Sequence, residues 1–270
     1  MQGPTAKKLL LDLLLAVDPQ PVAARNAVGA CALFGIGESN ARVTLTRLAA
    51  NGMIESAERG SYRLSPSAHE VATEIAGWRR LDARLRPWSG EYVCVHTAAL
   101  GRSDRAALRR RRRALDMLGF RKLSRGLHLR PDNIETDTEA VRRRLRTLGL
   151  DGSAQIFLAR DFAAADLDRI EGLWDREALN AGYRDTHARL TNWLERRHRL
   201  ELETAARESF LLGGDAIRRL VFDPLLPEPM VDTEARQQLL VTARHFDQVG
   251  QAIWQQLFVR GFDTAQTAAA

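Results

Sequence analysis

The chain has 270 residues, with 40 Lys and Arg against 34 Asp and Glu, giving a formal net charge of +6. Apolar residues make up 45% and charged residues 27%, the balance of a folded chain rather than a disordered one. No apolar run reaches the roughly 18 residues that span a bilayer, and two distant cysteines outside any CxxC pattern argue against a disulfide framework or a structural zinc.

A length of 270 residues predicts two or three domains. Lys7 and Lys8 precede the apolar run Leu9–Val17, but no small-residue cleavage site follows, so no signal peptide is expected. The two unpaired cysteines then fit a reducing cytoplasm. Charge is uneven along the chain: residues 1–80 carry +2, residues 81–150 carry +9 and residues 151–270 carry −5. A basic segment is the electrostatic footprint of a phosphate-bearing partner, or of an acidic neighbour.

Leu9, Leu10, Leu13, Leu14 and Val17 recur at helical spacing and predict a first helix over about 5–17, ended by Asp18-Pro19-Gln20-Pro21. A second helix is predicted from about Val22 to Leu33. A third runs from Glu38 or Ser39 to Ala50 and is closed by Asn51-Gly52. On the third helix Ala41, Leu45, Leu48 and Ala49 share one face. Ser39, Asn40, Val43, Thr46 and Arg47 share the other, with Arg42 on its flank, and this outer face reads as short, polar and free of acid. Two β-like runs follow, 53–57 and 61–64, around a Glu58-Arg59-Gly60 tip. Three helices and a hairpin in this order predict a winged helix-turn-helix. Its third helix would read DNA through Ser39, Asn40, Arg42, Val43, Thr46 and Arg47, and its wing would contribute Arg59. A small helical domain that only mediates protein contacts is the alternative.

Residues 67–86 read as a linker helix, with Val71, Ile75 and Trp78 on one side. Segment 87–162 then alternates: a strand at 91–97, a helix at 103–118, strands at 120–124 and 127–130, a helix at 137–148 and a strand at 154–159. This β-α-β-β-α-β order is the ferredoxin-like pattern. Its first helix holds five arginines in a row, Arg109 to Arg113, on a helix whose apolar stripe is Leu108, Leu115 and Leu118. Arg111 and Arg112 fall on or beside that stripe, so at least one is expected to meet carboxylates or a phosphate, since a buried unpaired guanidinium is costly. The acidic C-terminal third is the expected source of those carboxylates.

From 163 to 270 the stripes are helical. Asp223-Pro224-Leu225-Leu226-Pro227-Glu228-Pro229 forms a rigid turn, and the long apolar face of the last helix suits either intramolecular packing or a dimer seam. The tryptophans are expected in the core and the tail 264–270 is expected to fray. The chain thus reads as α+β in four segments: a winged helix-turn-helix (1–66), a linker helix (67–86), a ferredoxin-like domain (87–162) and a helical C-terminal domain (163–270). Catalytic signals are poor. The six histidines show no HxxxH or HExxH spacing, Gly35-Ile36-Gly37 lacks the strand and third glycine of a dinucleotide site, and neither cysteine has a catalytic neighbourhood. No catalytic residue, metal site or cofactor is expected.

Three segments carry a family resemblance: Ala41–Ile54 with its wing, Gly119-Phe120-Arg121-Lys122-Leu123-Ser124-Arg125-Gly126-Leu127-His128-Leu129-Arg130-Pro131, and Leu173-Trp174-Asp175 leading through Tyr183-Arg184 to Asp223-Pro224-Leu225-Leu226-Pro227. In this order they resemble the PaaX-like bacterial transcriptional regulators of phenylacetate and related aromatic-acid catabolism. The resemblance implies a dimeric repressor that binds double-stranded operator DNA and is released by an aryl-acyl-CoA thioester. Before Asp223 the chain reads Ala216-Ile217-Arg218-Arg219, where the family often has an aromatic residue followed by arginines, and the family's LP-x-x-W-P-G continuation is absent. The effector is expected to meet Arg111, Arg112, Arg218 and Arg219. Two other readings are a nucleic-acid-processing enzyme built on the ferredoxin-like segment and an acyl-CoA-binding interaction protein without DNA affinity. Strand 91–97 ends in Val95-His96-Thr97-Ala98, without the carboxylate a metal nuclease needs there.

Overall fold

The computed structural model describes residues 3–101 and 103–262. The tail 264–270 lies outside them. The class is α+β, largely helical with two small antiparallel sheets. The chain divides into two compact units. One gathers residues 1–77, 189–216 and 243–270, the other residues 78–188 and 217–242. This division differs from the four segments drawn from the sequence, because the helices after residue 163 contribute to both units.

In the first unit, α1 (Ala6–Val17) starts at Thr5, whose hydroxyl accepts from the Lys8 amide. Then come β1 (Val22–Ala23), α2 (Ala24–Ala32), α3 (Glu38–Ala50), β2 (Ile54–Ser56) and β3 (Ser61–Leu64). The second helix thus begins two residues later than its periodicity predicts. Val22 and Ala23 instead pair with Tyr62 and Ser61, which makes a three-stranded sheet in the order β1-β3-β2. Two residues show no alternation, so this strand leaves no periodic signal in the sequence. Leu9, Leu10, Leu13, Ala30, Ala41, Leu45, Leu48 and Ile54 form the core, closed by Ala206, Trp254 and Leu257 from the C-terminal helices. An aromatic chain runs Phe34–Phe210–Trp254–Phe258–Phe262, with ring centroids 5.4 to 6.1 Å apart. The three-helix core is therefore completed by the far end of the chain. The linker region is α4 (Pro66–Ala76) followed by two short 3-10 turns.

The second unit carries β4 (Tyr92–His96), α5 (Arg105–Met117), β5 (Arg121–Ser124), β6 (Leu127–Pro131), α6 (Thr138–Thr147) and β7 (Gln155–Ala159). The sheet order is β5-β6-β4-β7, antiparallel throughout. Asp104 and Asp137 cap α5 and α6 by accepting from backbone amides of their first turns. After β7 the chain continues through α7 (Ala164–Glu171), α8 (Arg176–Arg196), α9 (Leu202–Val221) and α10 (Thr233–Arg260). Trp78, Trp174, Trp193 and Trp254 are all buried. The apolar stripe of α10 is used within the chain: Leu239, Leu240, Phe246, Trp254 and Leu257 are buried, and Val241 and Val259 are its exposed large apolar residues. No helix among the described residues is long and apolar enough to cross a membrane.

Candidate nucleic-acid interface

The geometry of α3 follows from its two faces. Ala41, Leu45 and Leu48 are buried against α1 and α2, which leaves Ser39, Asn40, Arg42, Val43, Thr46 and Arg47 exposed. Gly35, at φ +72°, turns the chain between α2 and α3, and Gly52, at φ +66°, ends α3 behind its Asn51 cap. At the tip of the β2–β3 hairpin Arg59 is exposed beside Gly60, at φ +82°. Arg47 and Arg59 have no ion-pair partner among the described residues.

The outer face is not free of acid. The Arg42 Nε donates to Glu38 Oε1 at 2.7 Å, one turn earlier on the same helix. The sequence marks Glu38 as a helix start, and its i,i+4 spacing to Arg42 is the signal that it also holds this arginine. The Thr46 hydroxyl turns back to the Arg42 carbonyl at 3.2 Å, and the Thr44 hydroxyl donates to Asn40 Oδ1 at 3.3 Å. The side-chain amide donors of Asn40 and the guanidinium of Arg47 make no hydrogen bond among the described residues, while Arg42 is held by Glu38.

The four arginines assigned to an effector have different surroundings. Arg111 is buried. Its Nε donates to Asp151 Oδ2 at 3.0 Å and its Nη2 to the Gly101 carbonyl at 3.2 Å. That hydrogen bond from Nε, first among the causes, holds the Asp151 carboxyl below its ordinary pKa. The carboxylate thus comes from the turn before β7 and not from the C-terminal helices, because β7 returns the chain alongside β4. Arg112, one residue on, is 86% exposed and only loosely paired with Asp116 at 3.6 Å. Arg218 and Arg219 are exposed near the end of α9, and the Arg219 guanidinium lies over Gly182, where a Cβ would meet its Nη1 at 1.9 Å. No hydrogen bond or ion pair joins the α5 arginines to Arg218 or Arg219 among the described residues.

The segment Asp223–Pro227, which the sequence presents as a rigid turn, is the centre of a buried polar cluster. Arg130 is fully buried on β6. It donates to the carbonyls of Pro131, at 2.9 Å, and Leu118, to Asn133 Oδ1 at 2.7 Å and to the Leu225 carbonyl at 3.4 Å. Burial above all, with Arg84 beside it, pushes the Arg130 pKa down to about 9, against the pull of Asp132, Asp223 and Glu135. Asn133 Nδ2 donates to the same Leu225 carbonyl at 2.7 Å. Asp223 accepts the Leu225 amide at 2.7 Å, and Arg236 donates to the Leu226 carbonyl at 2.7 Å. Burial raises the Asp223 pKa, opposed by Arg236 and by the Leu225 amide. Asp223 Oδ2 and the Tyr183 hydroxyl are both buried, and neither completes a hydrogen bond of normal geometry. Arg130 and Asn133 lie 95 and 92 residues from Leu225, Arg236 lies ten residues from Leu226, and no periodicity or turn signal in the sequence ties any of the three to this turn.

Among the described residues no group of three or more His, Cys, Asp or Glu side chains is placed to hold a metal ion. Cys31 and Cys94 are buried, unpaired thiols, each pushed up to about 11 by burial.

A family model described as PaaX-like protein matches residues 6–68, and one described as PaaX-like protein C-terminal domain matches residues 174–256. The solved structure of the uncharacterized protein Rv0674 from Mycobacterium tuberculosis matches with a TM-score of 0.62 at 23% identity, covering 94% of this chain and 99% of that one. At that identity the likeness concerns the fold. No curated protein matches the chain in sequence. The two family matches stand in chain order and bracket the sheet of the second unit, and the class they define is that of transcriptional regulators. This chain belongs to the PaaX-like family.

Proposed function

We propose that this protein is a DNA-binding repressor of an aromatic-acid, phenylacetate-like catabolic operon. Residues 1–66 act as a winged helix-turn-helix, residues 67–86 as a linker helix, residues 87–162 as a ferredoxin-like domain and residues 163–270 as a helical C-terminal domain. The observation that carries the reading is the outer face of α3: six exposed, mostly polar side chains stand opposite a buried Ala41-Leu45-Leu48 stripe, with Arg59 at the hairpin tip. Family membership supports transcription regulation and DNA binding. Asn40 and Arg47 read base edges, Ser39 and Arg42 hold phosphates, and Val43 and Thr46 contact the groove floor. The protein works in the cytoplasm as a homodimer on a two-fold operator, and an aryl-acyl-CoA thioester releases it.

The test is binding to duplex DNA from upstream of the protein's own gene, compared with Arg47→Ala. Loss of a base-reading arginine costs about 1–3 kcal/mol and relaxes specificity at one position. Unchanged affinity and specificity in Arg47→Ala would remove α3 as the reader.

A further inference from the structure

Helices α5 and α6 pack side by side, so closely that a Cβ on Gly149, just past α6, would lie 3.2 Å from the Arg110 Cβ. Each is strongly basic: α5 carries six arginines against one aspartate, and α6 four against one glutamate. Arg111 is held inside by Asp151, while Arg142 and Arg144 on α6 pair with Glu139 and Glu135. The others point outward. Arg105, Arg109, Arg110, Arg112 and Arg113 on α5 are exposed, as are Arg143 and Arg146 on α6. Apart from the loose Arg112–Asp116 pair, none of these seven has an ion pair among the described residues. Arg105, Arg109, Arg112 and Arg113 share one side of α5, four charges over about 12 Å of helix.

We infer that this arginine face is a second DNA contact, one that grips the backbone of duplex DNA without reading sequence. So many unpaired like charges repel one another and lower stability, which a partner bearing dense negative charge relieves. Duplex DNA offers one phosphate per about 1.7 Å of axis. The face is the outer side of two helices, while a small anionic ligand is held in a concave site. A membrane-surface helix needs apolar residues to insert, and neither α5 nor α6 exposes a large one among the described residues. Among the acids of the C-terminal third, Glu208 holds Arg196 and Trp193, and Asp232 holds Arg184. Arginine throughout, with no lysine, gives planar forks that take phosphate oxygens in pairs.

This inference rests on the DNA-binding reading, and the experiment separates the two. A long duplex of arbitrary sequence is titrated over a range of salt with the wild type, with the triple variant Arg109→Gln/Arg113→Gln/Arg146→Gln, and with the same three positions changed to Lys. All three positions are exposed, and thermal melting checks that each variant folds. The glutamine variant should bind several-fold more weakly, and its slope of log affinity against log salt should flatten by about 0.9 for each phosphate no longer neutralised. The lysine variant should recover the slope, and preference for the cognate operator over arbitrary DNA should persist in both. A folded glutamine variant with wild-type slope overturns the inference and leaves the reading of α3 intact. A wild type without affinity for duplex DNA overturns both.

Discussion

Gly119 and Pro224 approach so closely that a Cβ on Gly119 would lie 2.5 Å from the Pro224 Cα. They stand 105 residues apart in sequence, and the turn from α5 into β5 meets the Asp223–Pro227 turn at this point. Gly119 also sits at φ +72°, and its carbonyl accepts from Trp174 Nε1 at 3.1 Å. Gly119→Ala therefore faces two costs, about 1–2 kcal/mol for the left-handed backbone and the displacement of Pro224. Gly90, in the same unit at φ +90°, has nothing within 4 Å of its hypothetical Cβ. Gly90→Ala should show the backbone cost alone. Urea unfolding of both should find Gly119→Ala the less stable by at least about 1 kcal/mol, and equal destabilisation would mean that Pro224 yields freely.

The same turn depends on Arg130. Arg130→Met keeps the volume but leaves the carbonyls of Leu118 and Pro131 without their donor and removes one of two donors to Leu225. Removing a buried charged donor from a satisfied network costs roughly 3 kcal/mol or more. Arg130→Lys should restore little of it, because one ammonium cannot reach acceptors spread over β6 and the Asp223–Pro227 turn. Thermal melting should rank wild type above Lys and Lys above or level with Met. A Met variant as stable as the wild type would show the network to be dispensable.

This cluster also marks where sequence legibility ends. The faces of α3 were legible because period and cap signals are local: Leu45 and Leu48 point in, and Asn51-Gly52 closes the helix. The strand order could be read from alternation and turn residues for the same reason. β1 was not legible, since two residues cannot alternate. Nor was the partner of Arg111, because Asp151 is 40 residues away and only the return of β7 brings it close. The stripe placed Arg111 and Arg112 alike, yet one is buried and the other 86% exposed, since consecutive residues diverge by about 100° around a helix. Asp223–Pro227 looked like a stiff turn because its prolines are visible in sequence, while the donors to its carbonyls are not.

Two aspartates should tilt stability with pH in opposite directions. Burial holds Asp223 above its unfolded pKa of about 3.9, so the native state keeps a proton that the unfolded state releases. Its contribution is present below the unfolded value and is lost as pH rises through the folded one. Asp151 is held below its ordinary value by Arg111, so its contribution is present above the unfolded pKa and is lost as pH falls through the folded one. Urea midpoints measured across acid to neutral pH should fall less steeply on the rising side in Asp223→Asn and less steeply on the acid side in Asp151→Asn. Parallel curves for wild type and both variants would contradict these environments.

Glu38 restrains the proposed reading helix. Its carboxylate holds Arg42 and also adds a negative charge where phosphates would approach. Glu38→Gln should tighten binding to all duplex sequences by a few-fold and steepen the salt dependence, because Arg42 becomes available as a phosphate contact. The change should cost a few tenths of a kcal/mol in helix stability, since an acid in the first turn complements the helix dipole. Anisotropy titrations on cognate and arbitrary duplexes would reveal it as equal gains on both. A gain confined to the cognate operator would place Glu38 at a base edge instead.

The effector arginines should separate by their surroundings. Arg111 is occupied by Asp151 and the Gly101 carbonyl, while Arg218 and Arg219 are exposed and have no ion pair among the described residues. A ligand phosphate can engage the latter two without breaking a buried pair, whereas taking Arg111 would strand Asp151. If an aryl-CoA thioester releases the protein from its operator, Arg218→Ala and Arg219→Ala should raise the thioester concentration needed, with DNA affinity in its absence unchanged. Arg111→Met should instead lower stability by about 1–3 kcal/mol and leave the thioester response of the folded protein in place. The measurement is operator release against a panel of aryl-CoA thioesters and their free acids. Coupling requires the ligand to prefer one of two protein states, so a thioester that shifts DNA affinity must also bind more weakly to the DNA-bound form. If no thioester moved DNA affinity by even a few-fold, the acyl-CoA assignment would fall, and the reading of α3 would stand on its own residues.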